Sequence, residues 1–501
     1  MKRRRHLLSG RESLVGLLFV FFLLEFFVSG SNRISGHLAG PAHPDSSVSA
    51  PVVFHADPLV WQDHRPPAFP PADSVRNFLI REWTEHGKGY DIGLNLEVQP
   101  YWASGRNCPR RFGWSFDIRA VDPATGEVLA ASSNEEHESG PESLWRWAVH
   151  QVGPVLEWAR DSLSVASFRR AGLPRVAVNW RHWNCTWGDR FARAVAERVT
   201  DELLWAGRVV PVVGSQAGPA DYELTGRVDG SRKPDNLRYL DILAVNLLSR
   251  ADGDTLLRKT FIAEPGLKSR SPQIEAPVAN ARTAARVIAQ FFSRRGRHAQ
   301  RPEIVSRKDW GARAPKPGIE SCRYPGDPGE YLNWIVVHHT AYDPSGPNEV
   351  QDEHMLPRGT GPGRHPFGRN WLDVGYHFMI ARNGTIYEGR RLCYVGAHAG
   401  GSVYGRRDRR LPADFGAIGI VLFGDFRFEQ PTAQQKRSLC KLLAYLSDRY
   451  TILPDHVVTH REMWHLAKSK RPLGGPTTPA TECPGENLRK FVETWRSRHE
   501  R

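Results

Sequence analysis

Short apolar runs, separated by turn-forming residues, recur through the C-terminal part of the chain. Four runs are predicted to be strands, at residues 334–337, 377–380, 385–387 and 417–423, and the first and the last have the composition of buried strands. Asn383-Gly384 lies between the second and third runs, and this dipeptide favours a two-residue hairpin turn. Apolar residues then recur at helical spacing over 439–446 and 488–495. The pattern predicts an α/β domain at residues 301–501, with a mixed central sheet covered by helices.

Upstream, two stretches share one order of predicted elements. Each contains a strand candidate, then a hairpin, then a helix. In the first stretch these lie at residues 91–98, 117–129 and 142–159, and in the second at 222–228, 242–257 and 276–292. This weak internal repeat predicts two similar α+β modules, at residues 74–165 and 166–296.

The N-terminus combines a basic flank with an apolar run. Lys2-Arg3-Arg4-Arg5 precedes residues 14–28, a run that contains Glu25 as its one charged residue. This combination predicts an export signal over residues 1–30, and the shortness of the run favours a cleaved signal peptide over a membrane anchor, which stays open. Residues 31–73 are rich in Pro, Ser and Ala and are predicted to be a linker. The chain is therefore expected to be exported, to the periplasm or the cell envelope.

Three residues suited to binding zinc follow these strand and loop segments. His338 follows the apolar run at 334–337, His460 ends the segment from residue 454, and Cys483 lies in the loop that enters the last helix. Two neutral imidazoles and one thiolate leave one tetrahedral position open for water, as in catalytic rather than structural zinc sites. The pattern therefore predicts a catalytic Zn²⁺ site. His339 adjoins His338 on a strand, so its side chain is expected to point to the other face, as a structural or supporting residue.

Six short motifs occur in the order of a known family. They stand at residues 306–312 (SRKDWGA), 336–340 (VVHHT), 373–378 (DVGYHF), 383–390 (NGTIYEGR), 396–400 (GAHAG) and 481–485 (TECPG). With them, the stretch from Ile304 to Trp495 resembles type-2 N-acetylmuramoyl-L-alanine amidases, a family that includes the peptidoglycan recognition proteins and the phage lysozyme amidases. The resemblance implies zinc at the three ligands above, with Tyr376 and Thr481 beside the metal. It also implies peptidoglycan as substrate, cleaved at the amide between the lactyl group of N-acetylmuramic acid and L-alanine.

The expected chemistry assigns roles to the residues around the metal. Zinc lowers the pKa of bound water toward ~7 and polarises the scissile carbonyl, so no protein nucleophile is required. The Tyr376 phenol can orient the water or hydrogen-bond the oxyanion, with a core aromatic as the alternative. Thr481 can reach the same oxygen, or it can cap the following helix. His398 is expected to contact substrate or to support the site, and Glu388 is a weaker candidate base whose alternative is a cross-strand or surface carboxylate.

The segment between His460 and Cys483 departs from the family pattern. Here 22 residues separate the two ligands, more than family members usually have, and residues 463–480 are interpreted as an insertion. Its basic, Pro- and Gly-rich part at 468–476 predicts an exposed loop that can arch over the cleft as a lip or lid. His465 is the alternative ligand, and it is disfavoured because helical continuation from His460 places it on the wrong side.

The net charge and the upstream modules indicate which classes of partner the protein could bind. The net charge of +14 indicates an acidic partner. Export, and the lack of a nucleic-acid motif, favour anionic wall polymers or membrane surfaces over nucleic acid, with the membrane reached through residues 1–30 if they stay uncleaved. The second module loosely resembles envelope lipoprotein domains that bind or regulate wall enzymes, through residues 220–227 and its hairpin. Other envelope proteins are therefore candidate partners, and a structural spacer is an equally consistent interpretation. The six cysteines are too dispersed for a disulfide framework.

Two classes of function remain open at this point. The first is a zinc-dependent N-acetylmuramoyl-L-alanine amidase, and the alternative is a non-catalytic peptidoglycan-binding protein. The intact ligand set favours the enzyme, because a binding module has no chemical need for two histidines and a thiolate around an open position. An envelope scaffold that uses the C-terminal domain for localisation is a third interpretation.

Overall fold

The structure is a computed structural model that describes residues 52–56, 72–87, 92–105, 108–136, 146, 148–160, 172–185, 189–213, 220–230, 241–262, 272–295, 299–357, 368–399, 414–469 and 481–500. Three β-sheets follow one another along these ranges. Within them, no helix combines the length and the apolar character needed to cross a bilayer. The predicted export segment at 1–30 lies outside the described residues and stays a prediction.

The first two sheets repeat one order of elements. The first sheet has the order β1-β2-β3-β4, and its strands are Val52–Ala56, Gly93–Gly105, Cys108–Val121 and Val128–Glu136. The second has the order β6-β5-β7-β8-β9, and β5 to β9 are Arg175–Cys185, Val210–Val212, Tyr222–Gly230, Asp241–Ser249 and Thr255–Ile262. The helices between and after these strands are α1 (Ala72–Glu82), α2 (148–160), α3 (Asp189–Ala206) and α4 (Pro272–Arg294). In both sheets a strand is joined through a helix to a parallel neighbour, which continues into an antiparallel meander.

The sequence predicted the meanders and missed the elements before them. The predicted hairpins correspond to β3–β4 and β8–β9, and the predicted helices overlap α2 and α4. Helices α1 and α3 and strand β5 were not predicted. The buried face of α3 consists largely of alanine and valine, so its periodicity is weak in the sequence. Within the predicted linker, residues 52–56 form strand β1, which pairs in parallel with β2.

The third sheet is mixed and has the order β12-β11-β13-β10-β14. Its strands β10 to β14 are Trp334–His339, Phe378–Ile380, Ile386–Glu388, Ala417–Leu422 and Val457–Thr459. Strand β10 lies between two parallel neighbours, β13 and β14, whereas β11 and β12 are antiparallel. The helices around it are α5 (Pro328–Tyr331), α6 (Pro347–Met355), α7 (Ala433–Arg449), α8 (His460–Ser469) and α9 (Glu486–His499). The predicted α/β class with a mixed sheet and covering helices is confirmed.

Helices α7 and α9 cover one face of this sheet, as their apolar spacing predicts. Ile335 and Val337 of β10 lie in one buried cluster with leucines of α7 and with Trp495 of α9. Helix α7 begins at a capping box, in which Gln435 N donates to Thr432 Oγ1 and Thr432 N donates to the Gln435 side chain, each at 3.0 Å.

The hairpin between β11 and β12 forms, but with a longer connection than predicted. Ile380 pairs with Ile386, so five residues rather than two separate the paired positions. Gly384 N donates to Ala381 O at 2.9 Å, and Gly384 has φ +85°, a conformation that glycine adopts without strain.

The second sheet contacts the third at the starts of β10 and β14. Lys259 Nζ of β9 donates to Leu332 O at 2.8 Å, and Asn333 Nδ2 donates to Thr260 O at 2.8 Å. At the start of β14, Gln290 Nε2 of α4 donates to Ile452 O at 3.0 Å. The neighbouring Leu453 is buried in the core cluster of the second sheet. The two strands that lead to the predicted zinc histidines are therefore held at their beginnings by the upstream module.

The predicted insertion begins as a helix rather than as a loop. Residues 463–469 continue α8 from His460, and Met463 and Trp464 are buried. His465 is exposed on this helix. The helix continues here because Met463 packs in one buried cluster with Val336 of β10, a contact that the composition of the segment does not indicate. Residues 470–480, which include most of the predicted lip, lie outside the described residues.

Candidate metal centre

The ends of β10 and β14 bring two histidines to one edge of the third sheet. The strands are parallel neighbours, with Val337 paired to Thr459, so residues at their carboxyl ends lie together. His338 is the penultimate residue of β10, and His460 is the first residue of α8, directly after β14. Glu462 N donates to Thr459 Oγ1 at 3.3 Å, and Thr459 N donates to Glu462 Oε2 at 2.7 Å. This capping box turns the strand directly into a helix and fixes the position of His460.

Cys483 reaches the same edge from the loop before α9. Its backbone N donates to Thr481 Oγ1 at 3.1 Å, and its carbonyl accepts from Arg461 N at 2.9 Å, which ties the loop to the start of α8. Gly485 has φ +83°, and a Cβ there would collide with the backbone of Phe426. The loop therefore requires glycine at 485 to bring the thiol to this edge.

The three predicted ligands converge. One donor atom from each of His338, His460 and Cys483 lies within 4.8 Å of the others. Nδ1 of His338 is 3.7 Å from Cys483 Sγ, and the two imidazole centroids are 4.6 Å apart. Nε2 of His460 is buried and has no hydrogen-bond partner among the described residues, which is unusual for a buried polar atom. Two nitrogens and one sulfur, with one nitrogen left orphaned, fit a zinc ion.

Burial sets the protonation of these groups in the absence of a cation. It lowers the pKa of His338 well below its usual value, and the neighbouring His460 lowers it further. Burial likewise lowers the pKa of His460 to about 4. Both imidazoles are thus neutral, the form that binds a metal. Burial raises the pKa of the Cys483 thiol to about 12, and the hydrogen bond that His339 N donates to Sγ at 3.4 Å opposes this rise.

Tyr376 lies beside the donor group, as the family resemblance implies. Its ring centroid is 5.2 Å from that of His338. Burial raises the pKa of the phenol, and the Cys483 side chain raises it further, so the hydroxyl stays protonated and can donate a hydrogen bond. The segment before β11 approaches its neighbour closely here, because a Cβ at Gly375 would collide with the carbonyl of Ala397.

The remaining predicted residues divide into those near the donor group and one that lies apart. Thr481 holds the Cys483 backbone, as described above. The side chain of His339 turns away from the donor group, and its Nδ1 accepts from Phe426 N at 3.3 Å. His398 Nδ1 lies 3.1 Å from His338 Nε2. Glu388 is on β12, which β11 and β13 separate from β10, and its carboxylate accepts from Arg307 N at 3.2 Å. The structure therefore does not bring Glu388 to the donor group.

Sequence reasoning missed His354, a buried residue of α6. Its ring lies 5.3 Å from that of Tyr376 and 4.6 Å from that of Trp371, and its Nδ1 accepts from Gly375 N at 3.0 Å. The hydrogen bond from the Gly375 backbone leaves the proton on Nε2. Nothing in the spacing of α6 distinguishes this histidine from a polar residue on a half-buried helix, so the sequence carried no signal for it.

The fold and the site define a mixed α/β protein with a histidine, histidine and cysteine group that can hold a metal ion. The N-acetylmuramoyl-L-alanine amidase family, Amidase_2, matches residues 328–486. Peptidoglycan-recognition protein LB of Drosophila melanogaster is 31% identical over 202 residues, 38% of this chain and 68% of that protein. An N-acetylmuramoyl-L-alanine amidase of Sus scrofa is 26% identical over 252 residues, 48% of this chain and 34% of that protein. Among solved structures, the endolysin amidase LysCS of Clostridium intestinale URNW aligns with 39% of this chain and 97% of its own, at 26% identity and a TM-score of 0.27.

The chain belongs to this family, whose members include proteins named as N-acetylmuramoyl-L-alanine amidases and proteins named as peptidoglycan-recognition proteins. The resemblance drawn from the six motifs is thereby confirmed.

Proposed function

We propose that the chain is a zinc-dependent N-acetylmuramoyl-L-alanine amidase, which hydrolyses the amide between the lactyl group of N-acetylmuramic acid and L-alanine of peptidoglycan. The observation that carries this proposal is the complete donor group of His338, His460 and Cys483, with a buried nitrogen of His460 that lacks a partner among the described residues. The relative named as an N-acetylmuramoyl-L-alanine amidase supports the proposed scissile bond, and the relative named as a peptidoglycan-recognition protein supports peptidoglycan as the proposed substrate.

In this proposal His338, His460 and Cys483 hold Zn²⁺. The bound ion would supply a Lewis acid for the scissile carbonyl and lower the pKa of a water molecule toward ~7. Neutral imidazoles bind without first losing a proton, and the N–H of His339 stabilises the thiolate of Cys483 through its hydrogen bond to Sγ.

Tyr376 and Thr481 act beside the donor group in the proposed reaction. The protonated phenol of Tyr376 donates a hydrogen bond to the carbonyl oxygen as negative charge develops there. The Thr481 oxygen accepts from Cys483 N, and its own proton remains to be donated to the same substrate oxygen. Thr481 thus has two roles in the proposal: it positions Cys483, and it stabilises the oxyanion.

A second candidate function is recognition of peptidoglycan without cleavage, which the name of the Drosophila relative favours. The two functions differ in their use of the metal. A recognition protein binds peptidoglycan whether or not Cys483 is present. An amidase loses its turnover when the Cys483 thiolate is removed.

The deciding experiment incubates the full-length protein with purified peptidoglycan, while bound zinc is measured on the same sample. We expect about one zinc per chain and release of stem peptides that carry a new L-alanine amino terminus. Cys483→Ser should lose both properties. Cys440→Ser is the matched control, because this half-buried thiol lies on α7 and is absent from the donor group. Peptidoglycan binding without released peptides, from protein that carries zinc, would contradict the amidase proposal and favour recognition.

We also propose that the protein acts outside the cytoplasm. The basic flank and apolar run of residues 1–30 support export, and peptidoglycan as the proposed substrate agrees with a location in the cell envelope. Alkaline phosphatase fused after residue 73 tests this, since that reporter is active after export. An inactive fusion that is nevertheless well expressed would contradict the proposal.

A further inference from the structure

His398 lies against His338 in a slot that two glycines create. Gly396 precedes it in the same segment, and Gly419 lies on β13, opposite Val336 of β10. A Cβ at either glycine would collide with the imidazole of His398. The ring therefore occupies the space of two missing side chains, and its own side chain is 0% exposed. Rotation about its side-chain bonds is blocked by backbone on both sides.

The backbone of His398 is fixed as firmly as its ring. Asp414 Oδ1 accepts from His398 N at 2.6 Å and from Ala399 N at 2.7 Å. The Asp414 side chain is itself 0% exposed, and its Oδ1 also lies 3.5 Å from His398 Nδ1. The two short backbone hydrogen bonds offset the cost of burying this oxygen. This buried carboxylate anchors the peptide that carries the imidazole.

The fixed imidazole contacts the nitrogen of His338 that faces away from the thiol. His338 Nδ1 faces Cys483 Sγ at 3.7 Å, and its Nε2 lies 3.1 Å from His398 Nδ1. A nitrogen that binds a metal carries no proton, so the proton of neutral His338 must then reside on Nε2. His338 Nε2–H would donate to His398 Nδ1, which is left as the acceptor.

We propose that His398 is a positioning residue for the metal centre: it fixes the rotation and the tautomer of His338, so that Nδ1 of His338 is presented to the metal. Its full burial argues against direct contact with substrate, which was the other role predicted from the sequence. The proposal rests on the zinc site of the proposed function. Partners of this kind, which hold the second nitrogen of a ligating histidine, typically contribute about 10–100-fold to metal affinity.

The test compares zinc affinity among full-length variants by competition with a chelator. His398→Leu should weaken zinc binding by about 10–100-fold. His398→Asn keeps an acceptor near the position of Nδ1 and should recover most of that loss. His377→Leu is the matched control, because His377 is also fully buried and hydrogen-bonds Gly419 N and Tyr394 O instead of a ligand. It should lower the melting temperature while leaving the zinc dissociation constant within about 3-fold of the wild-type value.

Nitrogen NMR of the wild-type protein gives a readout that does not depend on any variant folding. In the zinc-bound protein we expect the proton of His338 on Nε2. A proton on Nδ1 of His338, or wild-type zinc affinity in His398→Leu, would overturn the positioning role while leaving the amidase proposal intact. Failure of the wild-type protein to bind zinc would overturn both, so the two proposals fail distinguishably.

Discussion

Lys259 allows a quantitative prediction about the contact between the second and third sheets. Its side chain is 1% exposed on β9, and its amine donates to the carbonyl of Leu332 at the start of β10. Burial lowers the pKa of the amine from its ordinary 10.5 to about 7, and the more distant carboxylate of Asp327 opposes that change. Between about pH 7 and pH 10.5 the folded protein therefore favours a neutral amine, whereas the unfolded chain keeps the amine protonated.

The sign and size of the effect follow from the two pKa values. A buried amine with a lowered pKa costs little stability at high pH, and its cost grows as pH falls from the unfolded value of 10.5 to the folded value of about 7. Below that pH the cost is constant. At 1.36 kcal/mol per unit of pKa difference, the wild-type protein should lose roughly 4 kcal/mol of stability from this group between pH 10 and pH 6. For a cooperative unit of about 150–250 residues that corresponds to a melting shift on the order of 10 °C.

The assay is scanning calorimetry of full-length protein between pH 6 and pH 10. The melting temperature of Lys259→Met is compared with that of the wild-type protein at each pH. Both proteins carry the same other titrating groups, so the contributions of those groups cancel. The variant should become more stable relative to the wild-type protein as pH falls. At every pH the variant also loses about 1 kcal/mol of stability, because the Leu332 carbonyl is left without its hydrogen bond. Lys308→Met, at an exposed lysine, is the control and should show no such trend. Parallel melting curves for Lys259→Met and wild type across this range would refute the reasoning.

Three further predictions concern the site and the supporting structure. Tyr376→Phe should keep one zinc per chain and lower kcat by about 10²–10³-fold, as for the loss of one oxyanion donor; steady-state kinetics with wild-type kcat would contradict its role. Thr432→Ala removes the capping box of α7 and should cost about 1 kcal/mol in urea unfolding, and an unchanged transition midpoint would argue against the cap. Arg119→Met leaves Asp201, which is 0% exposed, without its bidentate partner at 2.6 and 2.9 Å. It should cost roughly 3–5 kcal/mol, and adding Asp201→Leu should restore most of it; a double variant no more stable than the single one would contradict this.

The sequence predicted that two of the three candidate ligands lie together, because the ends of buried strands can be recognised in it. A continuous apolar run such as 334–337 predicts a buried strand, and parallel buried strands deliver their last residues to one edge. His338 follows such a run, and His460 ends the partly polar segment at 454–459, so both histidines were candidates for one edge of the sheet. Cys483 depended on the family motif, since nothing in a loop of 481–485 alone indicates where it lies in space.

Other features of the site depend on contacts that no local pattern encodes. The slot around His398 needs Gly396 and Gly419 to meet from separate segments, and each glycine by itself predicts only a turn or a weak point in a strand. Lys259 is harder still, because a lysine on a strand predicts a solvent-exposed position. Such residues become interpretable only when the elements on both sides are placed.

The upstream module contacts the third sheet on the side away from the candidate metal centre. Lys259 and Gln290 hold the segments before β10 and β14, while His338 and His460 lie at the opposite ends of these strands. Strand β10 has six residues, so its first and last residues are roughly 17 Å apart at ~3.3 Å per residue. Both neighbours of β10 are hydrogen-bonded to it in register, so a displacement at its start moves the strand as a unit. The described part of the module therefore supports the two strands that carry the candidate histidine ligands, at the ends opposite to those histidines.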